Sequence, residues 1–126
     1  MKQTESLKNN SDYKDIYNTG RSYANKYLIM YIKKNGFHSN RLGISVSKKV
    51  GNSVVRHRIT RLIRESYRLS EEKLLNGFDI VVVARISAKG KSYSEIDSAF
   101  KHLIKLHKIG KTSSNRTDIE EAGELN

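Results

Sequence analysis

Hydrophobic and polar positions alternate in two stretches near the middle of the chain, and a period of two residues is typical of β-strands. In residues 27–33, aliphatic side chains fall on one side and mostly tyrosines on the other. In residues 41–47, aliphatic side chains alternate with an arginine and very small residues. Because Asn35 and Gly36 supply turn chemistry between the two stretches, we expect an antiparallel hairpin. Its second side would hold tyrosines beside very small side chains, which leaves an open trough.

Apolar residues recur with helical spacing in three other stretches. The first covers residues 10–19 and ends at Gly20, a common residue just past the end of a helix. The second covers residues 53–69 and follows a Gly-Asn-Ser break that offers an N-cap. The third begins at a Ser-x-x-Glu capping box at residue 92 and ends near Gly110. The sequence therefore predicts three helices.

A further strand completes the predicted fold. Residues 78–84 (FDIVVVA) are apolar on both faces, as expected of a central strand covered on both sides. With a short strand near residues 22–24, the order α-β-β-β-α-β-α predicts one α+β domain over residues 1–110. In this domain, a small sandwich, helices pack against a central, mostly antiparallel sheet. We expect no regular structure in residues 1–9, and we expect the polar residues 111–126 to form a disordered tail.

The composition adds a strong cationic excess to this picture. The 126 residues include 24 Lys and Arg against 13 Asp and Glu, for a formal net charge of +11. So large an excess repels itself and indicates a polyanionic partner. The absence of Cys excludes disulfides and thiolate chemistry, and it is consistent with a reducing compartment. Because the chain has no run of about 18 apolar residues and no apolar signal-peptide segment, we expect a cytoplasmic protein.

Much of the charge falls on one face of the helix predicted at residues 53–69. At 100° per residue, His57, Arg61, Arg64 and Arg68 lie within a sector of roughly 60°. The opposite side is an apolar arc made of Val55, Ile59, Leu62, Ile63 and Leu69. A solvated surface helix usually places Glu near Lys or Arg for pairing, and this cationic face lacks such partners. The pattern favours a nucleic-acid surface, and a merely basic exposed face is the alternative.

Few side chains have the spacing that catalysis or metal binding requires. The acids of the predicted domain are scattered rather than clustered, so we expect neither a metal site nor catalytic residues in this chain. His102 and His107 are five residues apart, which places them on different faces of one helix, whereas a metal pair usually needs a spacing of three or four. We interpret both as ordinary helix residues. On the cationic face, we expect His57 to contact a phosphate or a base.

Two other groups of residues have both a structural and a functional interpretation. Tyr13, Tyr17 and Tyr31 can stack on unpaired bases along the open trough, or they can pack the first helix on the sheet. Lys48 and Lys49 follow the second strand, where they can bind phosphates or simply solubilise a loop. The residues alone leave both alternatives open.

A resemblance to the protein subunit of bacterial ribonuclease P is carried by residues 41–68 (RLGISVSKKVGNSVVRHRITRLIRESYR) and 78–85 (FDIVVVAR). The triplet Arg56-His57-Arg58 matches the Arg-Asn-Arg motif of that family. The resemblance covers roughly residues 6–108. His57 replaces the usual Asn, and its imidazole preserves a polar contact in kind. Thr60 stands where Lys is common, which removes one phosphate partner.

The resemblance implies a protein that assembles with a large catalytic RNA and helps it to remove the 5′ leader from precursor tRNA. In that family the RNA carries out the Mg²⁺-dependent hydrolysis, so Mg²⁺ is expected mainly on the RNA and the protein alone is expected to be inactive. The implied fold is like the second domain of ribosomal protein S5, with an unusual left-handed βαβ crossover. By match, the residues that bind the catalytic RNA are Lys48, Lys49, Asn52, Arg56, His57, Arg58, Arg61, Arg64 and Arg68. By match, the residues of the leader-binding cleft are Tyr13, Tyr17, Tyr31, Ser45 and Ser47.

Other classes of function fit the sequence less well. A ribosomal-type or general RNA-binding protein shares the size and charge but has no role in cleavage, and it is the main alternative. A helix-turn-helix DNA binder is disfavoured because the basic helix follows a strand rather than a partner helix, so no DNA partner is expected. A membrane partner is disfavoured because the apolar face of that helix lacks Trp and Phe and has the spacing of a core.

Overall fold

Strands and helices follow one another in the order β-α-β-β-β-α-β-α in the computed structural model, which describes residues 4–111. The strands are β1 (Thr4–Ser6), β2 (Arg21–Ala24), β3 (Leu28–Lys34), β4 (Asn40–Ser45) and β5 (Phe78–Ala84). The helices are α1 (Asn10–Thr19), α2 (Ser53–Ser70) and α3 (Tyr93–His107). Short 3₁₀ turns at Glu71–Lys73 and Ile86–Ala88 follow α2 and β5. The tail predicted from residue 111 onward lies almost wholly outside the described residues.

The strands of this region form one sheet in the order β1-β4-β5-β3-β2. β4 pairs in parallel with β1 and with β5, while β3 pairs antiparallel with β5 and with β2. The α+β prediction, the central position of β5 and the short strand near residues 22–24 are confirmed. The sheet is mixed rather than mostly antiparallel, because two of its pairings are parallel. β4, α2 and β5 form the βαβ crossover that the resemblance implies, and its left-handed sense stays a prediction.

The predicted hairpin is wrong, because β5 lies between β3 and β4. Val81 and Val82 point to opposite faces of the sheet and are both fully buried, so this strand is the one that requires cover on both sides. The loop between β3 and β4 nevertheless has the predicted turn chemistry. Asn35 Oδ1 accepts a hydrogen bond from the Phe37 amide at 2.8 Å, and Gly36 has a φ of 76°. The turn residues therefore predicted a turn but not the partner of either strand.

β1 is a strand in a segment where the sequence indicated no regular structure. It pairs in parallel with β4, and the Leu7 amide extends the ladder by donating to the Leu42 carbonyl oxygen at 2.9 Å. Leu7 is buried, and the hydroxyl oxygens of Thr4 and Tyr67 lie 2.7 Å apart within hydrogen-bonding distance. A strand of three residues is too short to show an alternating pattern, so β1 could not be predicted from the hydrophobic and polar positions.

The main core lies on the face of the sheet that α2 and α3 cover. Ile59, Ile63 and Tyr67 of α2 are fully buried there. The rings of Tyr67 and Phe100 meet edge to face, with their centroids 6.3 Å apart. Leu69 was predicted to belong to the apolar arc, and this is wrong, because its side chain is 56% exposed. The buried face of α2 near its end is formed instead by Ser66, Tyr67 and Ser70, and Leu69 lies outside it.

The ends of α1 and α3 follow their local sequences. α1 follows Asn9, whose side chain makes no capping hydrogen bond, and ends at Gly20 as predicted. α3 begins with the predicted capping box, in which Ser92 and Glu95 each accept a hydrogen bond from the backbone amide of the other. It ends at Lys108, which has a left-handed φ of 58°, slightly earlier than predicted.

Candidate nucleic-acid interface

The start of α2 is fixed by residues that the sequence predicted as RNA contacts. Asn52 caps the helix, since its Oδ1 accepts a hydrogen bond at 3.0 Å from the amide three residues later. Arg56 Nε donates to the carbonyl oxygen of Gly51 at 3.2 Å. Arg58 Nη1 donates to the carbonyl oxygen of Lys91 at 3.0 Å and so joins α2 to the loop before α3. These three side chains hold the beginning of the helix in place.

The outward face of α2 presents cations that differ in pairing. His57, Arg61 and Arg64 are exposed, and no carboxylate of residues 4–111 lies within salt-bridge distance of either arginine. Arg68 instead donates two hydrogen bonds of 2.8 Å to Glu65. These hydrogen bonds raise the pKa of Arg68 and lower that of Glu65. Arg61 and Arg64 are therefore the cations of this face most available to a phosphate.

The three predicted leader-binding tyrosines meet on the opposite face of the sheet. The ring centroids of Tyr17 and Tyr31 are 4.9 Å apart at an interplanar angle of 72°, and those of Tyr13 and Tyr17 are 6.3 Å apart at 49°. Tyr13 and Tyr31 also pack on a small apolar cluster around Val81. Tyr17 is 39% exposed. The tyrosines thus pack α1 on the sheet while Tyr17 leaves a ring surface open to a base.

Tyr13 enters the trough because the strand beneath it lacks a side chain. Val81 lies between Tyr31 and Gly43 in one row across β3, β5 and β4. A Cβ at Gly43 would stand 2.5 Å from the hydroxyl oxygen of Tyr13, well inside contact distance. Burial, followed by the charge of the nearby Tyr17, raises the pKa of the Tyr13 hydroxyl. The predicted trough spans three strands rather than two, and Tyr13 fills the part of it above Gly43.

The next row of the trough floor places Val83 between Ile29 and Ser45, and all three side chains are half-buried. Ser47 is exposed just beyond β4. Its carbonyl oxygen accepts a hydrogen bond from the Val50 amide at 3.0 Å, which turns the chain toward α2. The predicted serines therefore line the floor and the exit of the trough.

The loop after β4 lies between the trough and α2. Lys48 and Lys49 are exposed in this loop, and Val50, which is buried, anchors it in the main core. The loop joins the end of β4, which lies under the trough, to the start of α2, which carries the cationic face. Burial raises the pKa of Tyr13, and the charge of Arg64 on α2 acts on it in the opposite direction. The structure therefore places the predicted RNA-binding face and the predicted leader-binding trough next to each other.

Ion pairs as well as apolar contacts hold α1 on the sheet. Arg41 of β4 donates hydrogen bonds of 2.7 and 2.6 Å to the two carboxylate oxygens of Asp79 on β5. A second terminal nitrogen of Arg41 lies 3.5 Å from a carboxylate oxygen of Asp12 on α1. Lys33 of β3 forms an ion pair with Asp15 of α1. Two strands on either side of β5 therefore each tether the helix that carries Tyr13 and Tyr17.

The sequence analysis did not predict the pair formed by Arg41 and Asp79. Asp79, the one acid inside the otherwise apolar run 78–84, indicated that such a pair exists, because a carboxylate in a buried strand requires a charged or hydrogen-bonding partner. Asp79 is 5% exposed, and Asn35 Nδ2 also donates to its Oδ1 at 3.0 Å. Hydrogen bonding to Asp79 is the main cause of a raised pKa for Arg41.

No group of three or more His, Asp or Glu side chains is placed to hold a metal ion within residues 4–111. In the same range, no helix is long and apolar enough to cross a membrane. His107 is buried, with Nε2 2.8 Å from the carbonyl oxygen of Met30, and burial lowers its pKa. His102 Nδ1 lies 3.2 Å from the side-chain nitrogen of Asn25. Both histidines thus make contacts within the protein.

Comparison with known sequences places these features in a family. The family model described as Ribonuclease P matches residues 1–108. The ribonuclease P protein component of Lachnoclostridium phytofermentans is 65% identical over 106 residues, which cover 84% of this chain and 91% of the relative. That of Clostridioides difficile is 49% identical over 104 residues, which cover 82% and 91%.

Solved structures give the same result. The RNase P protein of Staphylococcus aureus superposes with a TM-score of 0.79 at 38% identity and covers 84% of this chain and 97% of that one. The RNase P protein of Thermotoga maritima superposes with a TM-score of 0.74 at 31% identity and covers 81% and 96%. The family match over residues 1–108 includes the sheet and the helices that carry both candidate surfaces.

Proposed function

The chain belongs to the ribonuclease P protein family, and from this membership we propose how its two adjacent surfaces serve that tRNA-processing enzyme. As a family member, it associates with the ribonuclease P RNA. We propose that the outward face of α2 binds this RNA and that the trough binds the 5′ leader of precursor tRNA. One observation carries the proposal: exposed arginines of α2 that pair with no carboxylate of residues 4–111 lie a short loop away from an aromatic trough in which Tyr17 is 39% exposed.

The α2 face suits the phosphate backbone of a folded RNA. Arg61 and Arg64 can each neutralise a phosphate and release the counterions bound to it, which makes assembly depend strongly on salt. Lys48 and Lys49 extend the cationic surface toward the trough. His57 is exposed on the same face and can donate or accept a hydrogen bond to a phosphate or a base edge. Arg68 contributes less because Glu65 already accepts hydrogen bonds from its Nε and Nη2 atoms.

The trough suits a single strand of RNA. A base can stack on the open ring surface of Tyr17, and the neighbouring rings of Tyr13 and Tyr31 hold Tyr17 in place. The hydroxyls of Ser45 and Ser47 are positioned for hydrogen bonds with bases or sugars along the floor. Mature tRNA lacks a leader, so these contacts bind the substrate in preference to the product.

The described residues do not offer Mg²⁺ a site of their own, because no cluster of acids is present among them. We assign the Mg²⁺ ions and the hydrolysis of the phosphodiester to the RNA. The protein would lower the Mg²⁺ concentration that the RNA needs, because its cations replace part of the counterion charge around the phosphates. We propose that this work takes place in the cytoplasm.

The direct test is cleavage of a precursor tRNA by a bacterial ribonuclease P RNA at low Mg²⁺, with and without this protein. We expect correct removal of the leader only when RNA and protein are both present, and no cleavage by the protein alone. If the protein binds the RNA but changes neither the rate nor the Mg²⁺ requirement, the proposal fails. A general RNA-binding protein would then describe the chain better.

A further inference from the structure

A second cluster of cations lies at the end of the sheet where β5 finishes. It consists of Lys26, Arg85, Lys89 and Lys91, and we call it the sheet-end surface. No carboxylate within the described range 4–111 forms an ion pair with any of the four. Glu95 is the nearby acid, and its carboxylate accepts hydrogen bonds from the amide and the hydroxyl of Ser92 and, at 3.4 Å, from the hydroxyl of Tyr27. The hydrogen bonds from Ser92 are the main cause of its lowered pKa, and the charge of Lys91 adds to it.

Two of these cations share one aromatic ring. The Nζ atoms of Lys26 and Lys91 lie 5.6 and 5.5 Å from the ring centroid of Tyr27. The ring attracts each ammonium, so both cations are held at one place on the surface. Lys33 and Lys101, by contrast, are paired with aspartates elsewhere on the protein. The four cations of the sheet-end surface outnumber the nearby acid Glu95, and such an excess of positive charge favours binding of a polyanion.

The loop that carries this surface is held in one conformation. The Arg85 amide donates to the carbonyl oxygen of Tyr27 at 2.9 Å, and Arg85 Nη1 donates to that of Asn25 at 2.8 Å. The Ser87 hydroxyl donates to the carbonyl oxygen of Lys26. These bonds attach the loop after β5 to the segment before β3. A preformed set of cations loses little conformational entropy when it binds a ligand.

The sheet-end surface is continuous with the outward face of α2. Arg58 belongs to α2 and donates to the carbonyl oxygen of Lys91 at 3.0 Å, so the two cationic regions meet at this contact. On the other side, Arg85 comes directly after β5, two residues beyond Val83 of the trough floor. Ile86 is 63% exposed beside it and offers an apolar contact to a sugar or a base.

We propose that the sheet-end surface binds the phosphodiester backbone of RNA and extends the RNA path of α2 past Arg58. This inference rests on the proposed function, since it adds a third binding surface to the same assembly. The bound backbone belongs either to the catalytic RNA or to the leader beyond the trough. Both sources present the same phosphates, and the experiment below distinguishes them.

The test compares two triple variants that remove the same charge. Lys26→Gln, Lys89→Gln and Lys91→Gln change the sheet-end surface. The control changes three exposed lysines at the far end of α3, namely Lys105→Gln, Lys108→Gln and Lys111→Gln. Affinity for a ribonuclease P RNA is measured over a range of salt concentrations. Affinity of the assembled holoenzyme is then measured for precursor tRNAs with long and short leaders, and thermal unfolding checks that each variant is folded.

The sheet-end variant should bind the catalytic RNA, or long-leader precursor, on the order of tenfold more weakly than the control, with a flatter salt dependence. A loss in assembly assigns the backbone to the catalytic RNA, and a loss confined to long leaders assigns it to the leader. Equal behaviour of the two variants in both assays overturns the inference. If that equality occurs while Arg61→Ala with Arg64→Ala still weakens assembly, the proposed function stands without it. If the unaltered protein binds no RNA, both fail.

Discussion

The two helices that carry the candidate RNA contacts are anchored in opposite ways. α2 has 18 residues, of which five are buried, and three of these five, Ile59, Ile63 and Tyr67, belong to the main core. α1 has 10 residues, and among them Ile16 is the one that is fully buried. α1 relies in addition on ion pairs of Asp12 and Asp15 with the sheet. Apolar packing therefore fixes the position of α2 and its cationic face. Ion pairs and contacts between tyrosine rings fix the position of α1, which forms the wall of the trough.

This difference suits the partners that we propose. A folded RNA presents phosphates in fixed positions, so cations on a well-packed helix meet them without reorganisation. A leader is a flexible single strand whose bases differ from one precursor to the next. A wall with few buried contacts can open locally at low cost in free energy, so it can accept different bases.

The largest effect should come from the core under α2. Ile63→Ala removes a fully buried side chain, and we expect the free energy of unfolding to fall by about 4 kcal/mol. Ile16→Ala under α1 is the matched control, and it should cost less because α1 can move to fill the space. Urea unfolding of both variants measures this. A greater loss for Ile16→Ala would contradict the comparison.

Arg41→Ala should come next, because it leaves the buried carboxylate of Asp79 without its cation and releases Asp12. We expect a loss of about 3 kcal/mol in the free energy of unfolding, together with weaker binding of precursor tRNA. Lys33→Ala removes the other, more exposed pair and should cost no more than about 0.5 kcal/mol. If the two variants unfold at the same urea concentration, the buried pair of Arg41 and Asp79 stabilises the protein no more than the exposed pair of Lys33 and Asp15.

Arg61→Ala with Arg64→Ala should leave stability unchanged and weaken assembly with the catalytic RNA by at least about tenfold. The slope of log affinity against log salt should flatten by about 1.5 to 2, because two phosphate contacts are lost. Arg68→Ala provides a control on the same helix face and should have a smaller effect, since Glu65 already pairs with Arg68. A salt slope that stays the same in the double variant would argue against this face as the RNA site.

Tyr17→Ala should have the smallest effect, about 1 kcal/mol on the binding of precursor tRNA. Assembly should stay unchanged, and the free energy of unfolding should fall by no more than about 1 kcal/mol, because the ring contacts of Tyr17 with Tyr13 and Tyr31 are lost. Tyr17→Phe keeps the ring and should bind normally. Binding of the mature tRNA should be the same for both variants, because it has no leader in the trough. If Tyr17→Ala lowered the unfolding temperature and the affinity for both RNAs together, the tyrosine would be a packing residue only.

Local pattern predicted the elements of this fold well, because each element depends on neighbours in the chain. The alternation before and after Asn35 gave two correct strands, and the break around Asn52 marked the start of α2. Periodicity could not show that β5 would lie between β3 and β4, since strand partners depend on contacts between distant residues. It also placed Leu69 in the core, because an angle on a helical wheel does not show where the neighbouring elements lie.

The residues of the candidate site also differ in whether local sequence pattern could predict them. The cations of α2 were predictable because a charged face needs only its own helix to be recognised. The contact between Tyr13 and Gly43 was not, because it requires α1 to cross a strand that lies 30 residues away in the sequence. The pair formed by Arg41 and Asp79 escaped for the same reason. One sequence shows that Asp79 needs a partner, but it does not show which cation will stand beside it.

The central position of β5 delays the folding of this chain during synthesis. β5 pairs with both β3 and β4 and follows them in the chain, with α2 in between. Because synthesis runs from the N-terminus, every arginine of α2 leaves the ribosome before the strand that completes the sheet. Until then, α2 has no finished core on which to pack, and these long-range pairings are slow to form. The nascent protein is therefore a cationic, unfolded chain before it is a folded one. Any RNA nearby is attracted by its charges before its binding surfaces have formed.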